Sequence, residues 1–184
     1  KSFLHHYHYL SHHRTVGENL QYLVADRQDR PLACLLFGAA AWQCADRDRY
    51  IGWPSAHRAQ SLHLLANNTR FLILPGIRVL QLASAVLSRV SRQLSRDWQS
   101  KYGHPIYLLE TFVERDRFTG ACYRAANWRH VGQTKGRTRQ DRPDGTWCQA
   151  PVKDVYLYAL HPRFRQRLQG QSVQPVNPTH DPCR

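Results

Sequence analysis

The sequence predicts an α+β fold in which a mixed β-sheet is flanked by helices. Apolar runs of strand length alternate with turns that contain Pro or Gly. One long helical pattern separates two of these runs, and a chain of 184 residues, 42% of them hydrophobic, is large enough for one core. We therefore expect a domain over residues 20–160, preceded by an irregular His-rich lead-in (1–19) and followed by an irregular, basic, Pro- and Gln-rich tail (161–184).

The first half of the domain starts with a predicted hairpin. Residues 21–25 form its first strand, and the apolar run 32–42 forms a buried partner strand after a charged turn that ends in Pro31. Residues 47–53 are charged and aromatic and are predicted to be a loop. Pro54 and Ser55 then begin a short helix that extends to about residue 67.

A long helix over residues 79–101 is the centre of the second half. Strand 69–74 ends before it at Pro75 and Gly76, and Gly103 and Pro105 end the helix itself. Apolar residues at spacings of three and four line one of its faces: Leu80, Ala83, Leu87, Val90, Leu94 and Trp98. The other face is basic. The remaining predicted elements are a strand (106–113), a short helix (119–128), a strand (129–134), an exposed loop (135–151) and a last strand (152–160).

The charge of the chain points to a polyanionic partner. Lys and Arg number 26 against 13 Asp and Glu, and Arg predominates, which suits bidentate contacts with phosphate. Nucleic acid, and DNA in particular, is favoured over a solvated basic surface or a face that docks an acidic protein. No apolar run reaches the ~18 residues of a membrane span. The five cysteines lack a CxxC pair, so we expect reduced thiols and a cytoplasmic location. From its first residue, Lys1, we also expect the chain to be a piece of a longer protein.

The order of the predicted elements resembles that of the GNAT acyltransferase core. The segment Cys122-Tyr-Arg-Ala-Ala-Asn-Trp128, followed by Val131-Gly132, is similar to the GNAT segment in which a Tyr-bearing helix leads into the next strand. The resemblance implies that Tyr123 is a general acid and that strands 69–74 and 106–113 are neighbours. The Gly-rich pyrophosphate loop of that family corresponds to residues 75–82, which contain a single Gly, so the sequence identifies no cofactor.

A closer resemblance covers residues 8–160. It is carried by motifs in the following order: His8-Tyr-Leu10, Arg47-Asp-Arg49, Ile51-Gly-Trp53, Asn68, Arg70-Phe-Leu-Ile-Leu-Pro75, Leu82-Ala-Ser84, Asp97-Trp98, Glu110-Thr-Phe-Val113, Tyr123-Arg-Ala-Ala-Asn-Trp128 and Gly132-Gln-Thr-Lys-Gly-Arg137. These resemble the DruA family of the Druantia anti-phage system, which is also found beside transposases. The resemblance implies a DNA-linked setting, with other proteins of a defence or transposition complex as partners.

Three residues are candidates for catalysis. Glu110 lies among Leu, Phe and Val, so partial desolvation would raise its pKa and suit it to act as a general base. The alternative is an ion pair with an arginine such as Arg124 or Arg70. Tyr123 is the candidate acid, with a packed core ring as the alternative. Asp48 lies in a charged loop that either positions a substrate or forms surface ion pairs.

A basic segment and a charged, aromatic loop supply the candidate nucleic-acid contacts. The segment 133–139 is basic, hydroxylated and Gly-containing, which suits phosphate oxygens, but it lacks the P-loop pattern of an ATPase. A Trp that follows a charged loop is suited to stack on a base. The predicted contacts are Gln133, Thr134, Lys135, Arg137, Arg139, Arg49 and Trp53.

Three functions fit these features. The first is a GNAT-like enzyme with Glu110 as base and Tyr123 as acid in one cleft. The second is a non-catalytic DNA-binding adaptor that uses the Arg-rich long helix and the 133–139 segment. The third is a metal-dependent nuclease built on Asp48, Glu110 or the histidines near the start of the chain, although His at a chain end is commonly solvated and no metal site is assigned.

Overall fold

The computed structural model describes residues 17–139 and 147–170. The strands are β1 (Leu20–Ala25), β2 (Pro31–Ala39), β3 (Leu65–Ile73), β4 (Leu108–Glu114), β5 (Arg129–Gln133), β6 (Arg137–Arg139), β7 (Trp147–Gln149) and β8 (Lys153–Ala159). The helices are α1 (Ala45–Ile51), α2 (Ser55–Ser61), α3 (Leu82–Tyr102), α4 (Ala121–Ala125) and α5 (Phe164–Leu168), and a 3₁₀ turn covers Leu62–Leu64. Six strands form a mixed sheet in the order β1-β2-β3-β4-β8-β5. The predicted α+β fold, a mixed sheet flanked by helices, is confirmed.

The pairing of β3 with β4 is parallel, and α3 connects the two strands. This confirms the neighbouring strands that the GNAT resemblance implied. Buried residues at helical spacing hold α3 on the sheet: Val86, Leu87, Val90, Ser91, Leu94 and Trp98. The parallel pairing covers three positions only, from Leu65 opposite Leu108 to Asn67 opposite Glu110. Beyond that point the two strands diverge, and a cleft opens between them.

The sheet has a hydrophobic core on each face, because successive side chains of a strand point to opposite sides. Leu109 of β4 packs with Leu94 and Trp98 of α3 on what we call the α3 face. Leu108, its neighbour, packs with Ile51 of α1 and Phe164 of α5 on what we call the α1 face. Any two adjacent residues of β4 therefore serve different cores.

Helix α1 occupies part of the segment that was predicted to be a loop, so that prediction is wrong. Arg47 and Ile51 are one helical turn apart and both are buried, while Asp46 pairs with Arg49 on the outside. Gly52 ends the helix with a φ of 78°, a left-handed conformation that glycine adopts without strain. Apolar periodicity missed the helix because a charged residue occupies one of its two buried positions.

Several element boundaries differ from the sequence-based prediction; for example, the strand predicted over 32–42 ends at Ala39. The helix predicted to extend to residue 67 ends at Ser61, because Leu65 and Ala66 belong to β3 and pair with β4. Their burial in the sheet outweighs local helical preference. Leu80 was assigned to the apolar face of the long helix, but it precedes α3 and its side chain is 95% exposed.

The last part of the chain also contains more regular structure than predicted. The expected exposed loop 135–151 includes β6 and β7, which pair antiparallel. The expected irregular tail contains α5, where Phe164 and Leu168 are buried one helical turn apart. The first 16 residues, with the clustered histidines, and residues 171–184 lie outside the described part. Within the described ranges, no helix combines the length and the apolar character that crossing a bilayer requires.

Candidate functional site

Glu110 lies in a buried ion pair on the α1 face. Its side chain and that of Arg47 are both fully buried, and Arg47 Nη1 donates to Glu110 Oε2 at 2.9 Å. The backbone N–H of Ala41 donates to the other carboxylate oxygen at 2.6 Å, and Arg47 Nη1 also donates to the Ala41 carbonyl oxygen at 2.6 Å. The ion-pair alternative for Glu110 therefore holds, with Arg47 as the partner rather than Arg124 or Arg70.

The electrostatics of this pair follow from its burial. Burial raises the pKa of Glu110, while the charge of Arg47 and the Ala41 amide act in the opposite direction. Burial alone would lower the pKa of Arg47, but Glu110 and Asp48 outweigh it and the pKa is raised. Arg47 thus remains a cation, and the pair joins α1 to β4.

Asp48 extends the pair into a network that reaches the surface. Its Oδ1 accepts hydrogen bonds from Arg47 Nε at 2.9 Å and from Trp53 Nε1 at 3.0 Å, and its Oδ2 accepts one from Arg58 Nη1 at 3.2 Å. The carboxylate therefore organises α1 and α2. Trp53 is only 7% exposed and lies in the α1-face core, so the predicted stacking of its ring on a base is wrong.

Tyr123 lies on the opposite side of the sheet from Glu110. Its ring belongs to the α3-face core and stacks on Tyr156, with centroids 5.8 Å apart. Its hydroxyl donates to Asn68 Oδ1 at 2.8 Å. The prediction that Glu110 and Tyr123 face one cleft is wrong, because alternation along β4 sends Glu110 to the α1 face.

The cleft between β3 and β4 has a volume of about 440 Å³, and we call it the β3–β4 cleft. Asn68, Thr111, Cys122 and Tyr123 are among its lining residues. Thr111 Oγ1 donates to the Asn68 carbonyl oxygen at 3.0 Å. Burial raises the pKa of the Cys122 thiol, so it stays protonated and is a weak nucleophile. Asn68 and Thr111 were noted in the sequence only as members of the family motifs, and nothing in the local pattern indicated that they line a cleft.

Most of the predicted nucleic-acid contacts lie at the end of β5. The Gln133 backbone N–H donates to Asp46 Oδ2 at 2.9 Å, and Thr134 Oγ1 accepts from the Lys153 backbone N–H at 2.9 Å. These two bonds fix the end of the strand, after which Lys135 is exposed. Arg137 and Arg139 follow in β6. Arg49 is 79% exposed and pairs with Asp46.

Four further arginines lie at the Tyr50 ring or at α5, and they were not predicted as nucleic-acid contacts. The guanidinium carbons of Arg129 and Arg165 lie 5.8 and 4.5 Å from the Tyr50 ring centroid. Phe164 stacks on the same ring. Arg163 is exposed at the N-cap of α5, and Arg167 is exposed within α5, with its guanidinium carbon 5.8 Å from the Tyr107 ring centroid. We call Arg129, Arg163, Arg165 and Arg167 the α5 arginine surface. The spacing of Arg163-Phe-Arg-Gln-Arg167, basic around a buried Phe, is the signal that could have revealed it.

Metal binding has no support in the described residues, where no cluster of three His, Cys, Asp or Glu side chains could hold an ion.

Residues 1–162 match a family model described as Druantia protein DruA. The chain belongs to the Druantia protein DruA family. The motif-based resemblance to the DruA family is thus confirmed.

Other comparisons concern the fold of the DruA-family chain. No curated protein matches it. Similar solved structures include a spermidine N-acetyltransferase from Vibrio cholerae (8% identity, TM-score 0.48, covering 77% of this chain and 65% of that one). A GNAT-family acetyltransferase from Bacillus cereus is also similar (10% identity, TM-score 0.44, covering 76% and 69%). The DruA-family chain spans slightly less than two-thirds of the Vibrio cholerae enzyme.

Proposed function

We propose that the chain is a DNA-binding component of an anti-phage defence complex and that the α5 arginine surface is its DNA-binding face. The observation that carries this proposal is that the four guanidinium groups are exposed and that none forms an ion pair with a carboxylate in the part of the chain that the structure describes. Exposed cations without anionic partners, in a chain with a net charge of +13, fit the phosphates of a nucleic acid.

The local structure favours phosphate binding because part of this surface is held in place before a ligand arrives. Arg165 Nε donates to the Tyr50 carbonyl oxygen at 3.0 Å, and its guanidinium lies over the Tyr50 ring. Arg129 approaches the same ring from β5. Side chains that are already ordered lose less conformational entropy on binding. Lys135, which follows β5, is a further exposed cation.

The proposal is tested by removing equal charge from two sides of the sheet. One variant carries Arg129→Ala, Arg163→Ala and Arg167→Ala and keeps Arg165, which holds α5 to α1. The matched control carries Arg89→Ala, Arg92→Ala and Arg96→Ala on the exposed side of α3. The measurement is the affinity for duplex and single-stranded DNA across a range of salt concentrations.

We expect the first variant to bind at least about tenfold more weakly and to lose about 0.9 units of salt slope per phosphate contact removed. The control should keep most of the affinity. Equal losses in both variants would assign binding to net charge rather than to this surface. Wild-type affinity that is independent of salt, or absent, would refute DNA binding itself and favour an acidic protein partner.

A second candidate function is catalysis in the β3–β4 cleft with Tyr123 as the proton donor. The supporting observation is that Tyr123 lines a cleft of about 440 Å³, a volume within the usual range of small-molecule sites. Glu110 does not serve this candidate as a base, because it is paired with Arg47 on the other face. Tyr123→Phe tests it, since loss of phage protection by a folded variant would favour a proton donor.

A further inference from the structure

Trp42 is a large aromatic residue that the fold leaves exposed. It precedes α1, and 59% of its surface is accessible. Most large aromatic side chains elsewhere in the described structure are packed in one of the two cores, and their burial stabilises the fold. An exposed indole is suited to a binding site, because Trp supplies a large rigid face for stacking.

The Trp42 ring is held in position by a charged neighbour. The Arg58 guanidinium carbon lies over the ring, 5.6 Å from its centroid. Arg58 is in turn fixed by Asp48 Oδ2, 3.2 Å from its Nη1. The network that begins at the buried Glu110 thus ends by orienting Trp42.

Trp42 forms one wall of a small cavity at the end of the sheet, which we call the Trp42 pocket. Its volume is about 280 Å³, and its lining includes Trp42, Leu62, His63, Leu65, Trp98 and Glu18. Sites for drug-sized ligands start at roughly 300 Å³, so this pocket fits one planar ring system rather than an extended cofactor. Its walls are apolar and aromatic, with a carboxylate at one side.

The carboxylate of Glu18 is fixed within the pocket. Its Oε2 accepts a hydrogen bond from Trp98 Nε1 at 3.2 Å and lies 2.8 Å from His104 Nε2. Its Oε1 has no hydrogen bond to a residue in the described ranges. A carboxylate accepts hydrogen bonds only, so it selects a ring that presents N–H groups. Among the bases, guanine carries two adjacent N–H donors on its Watson–Crick edge. Both can be directed at Oε1, the oxygen that Trp98 and His104 leave open, whereas thymine offers a single N–H donor.

Resting on the proposed function, we infer that the Trp42 pocket binds one unpaired nucleobase of a DNA strand, stacked on Trp42, and prefers guanine through Glu18. Helix α1 has seven residues and is about 10 Å long, and Trp42 precedes it while Tyr50 lies in its last turn. A strand in duplex DNA rises ~3.4 Å per nucleotide and an unpaired strand extends further, so about three nucleotides or fewer span that length. One strand can therefore reach from the Trp42 pocket to the α5 arginine surface.

The experiment compares Trp42→Ala, Trp42→Phe and the matched control Leu23→Ala, which removes an exposed apolar side chain from β1. Affinities are measured for duplex DNA, for an oligothymidine strand and for the same strand with one central guanine. Base stacking corresponds to roughly 5- to 150-fold in affinity, so Trp42→Ala should lose at least about fivefold on the guanine strand. Trp42→Phe should retain most of the binding, and duplex binding and the Leu23→Ala variant should be unchanged.

The variant Glu18→Gln tests the preference for guanine in the same binding experiment. Its amide replaces one acceptor with a donor, so the preference for the guanine strand over plain oligothymidine should disappear. If Trp42→Ala binds all three DNAs as the wild type does, or loses affinity equally for duplex and single strands, the base pocket is refuted while DNA binding stands. If the wild type binds none of the three, the proposed function and the pocket fall together.

Discussion

Replacing Arg47 with Met removes the cation that lies between Glu110 and Asp48. Glu110 would then be buried with the Ala41 N–H as its remaining hydrogen-bond donor. Breaking a buried ion pair by removing one partner typically costs about 3–5 kcal/mol. For a chain of this size each kcal/mol lowers Tm by about 2–4 °C, so the expected decrease is about 6–20 °C.

The effect should depend on pH, with a sign set by Glu110. Burial raises the pKa of this carboxyl, and Arg47 opposes the rise, so in Arg47→Met the pKa increases further. A carboxyl whose folded-state pKa exceeds its unfolded-state value stabilises the fold at low pH, and that contribution is lost as pH rises through the folded-state pKa. The variant should therefore be closer to wild-type stability at about pH 5 than at about pH 8.

Thermal melts followed by circular dichroism at the two pH values measure this effect. The control is the double variant Arg47→Met with Glu110→Leu, which removes both charges and should recover much of the lost stability. A Tm within about 2 °C of the wild type at about pH 8, or an equal loss at both pH values, would refute the account of Glu110 as a buried ion-pair partner.

Three further outcomes are expected. Replacing Lys135, Arg137 and Arg139 together with Ala should weaken DNA binding in a salt-dependent titration, and Tm should change little because charged side chains outside the core rarely hold a fold together. Unchanged binding would exclude the segment. Tyr123→Phe removes the hydrogen bond to Asn68 Oδ1, which is worth about 0.5–1.5 kcal/mol, so Tm should decrease by about 1–6 °C. Full phage protection in this variant would show that the hydroxyl has a structural role only. Gly132→Ala places a methyl group against the Asp46 carboxylate at a φ of 154°, so urea denaturation should show a clear loss of stability. Wild-type stability in this variant would contradict the close approach of Asp46 to Gly132.

The sequence predicted the elements whose signals are local. Helix α3 has a long apolar period that ends at Gly103, and β4 is a mostly apolar run interrupted by Glu110, so both were predicted within a few residues. Helix α1 was missed because Arg47 fills a core position, and no hydropathy pattern marks a charged residue as buried. Helix α5 was missed because it is short: only Phe164 and Leu168 are buried, and two residues are too few to show a helical period.

The candidate site was predicted less completely because its contacts join distant parts of the chain. The isolation of Glu110 among apolar residues correctly indicated burial, but its partner is 63 residues away in a segment that was expected to be a loop. Which face of the sheet receives Glu110 or Tyr123 depends on strand register, which a strand pattern alone does not set. Trp53 shows the same limit, since the sequence gives no sign that its indole bonds Asp48 inside the core.

The short parallel pairing of β3 with β4 has a mechanical consequence. Three residue pairs join β1, β2 and β3 to β4, β8 and β5, whereas the antiparallel pairs on either side are longer. Just past the last pair, Asn68 accepts hydrogen bonds from Thr111 and Tyr123, so side chains continue the connection where the backbone ladder stops. The sheet thus consists of two well-paired halves that share a short backbone ladder, and α3 packs in one core with strands of both halves. The width of the cleft therefore depends on few hydrogen bonds, and a variant that lacks the Asn68 contacts should widen it without breaking the hydrogen bonds inside each half.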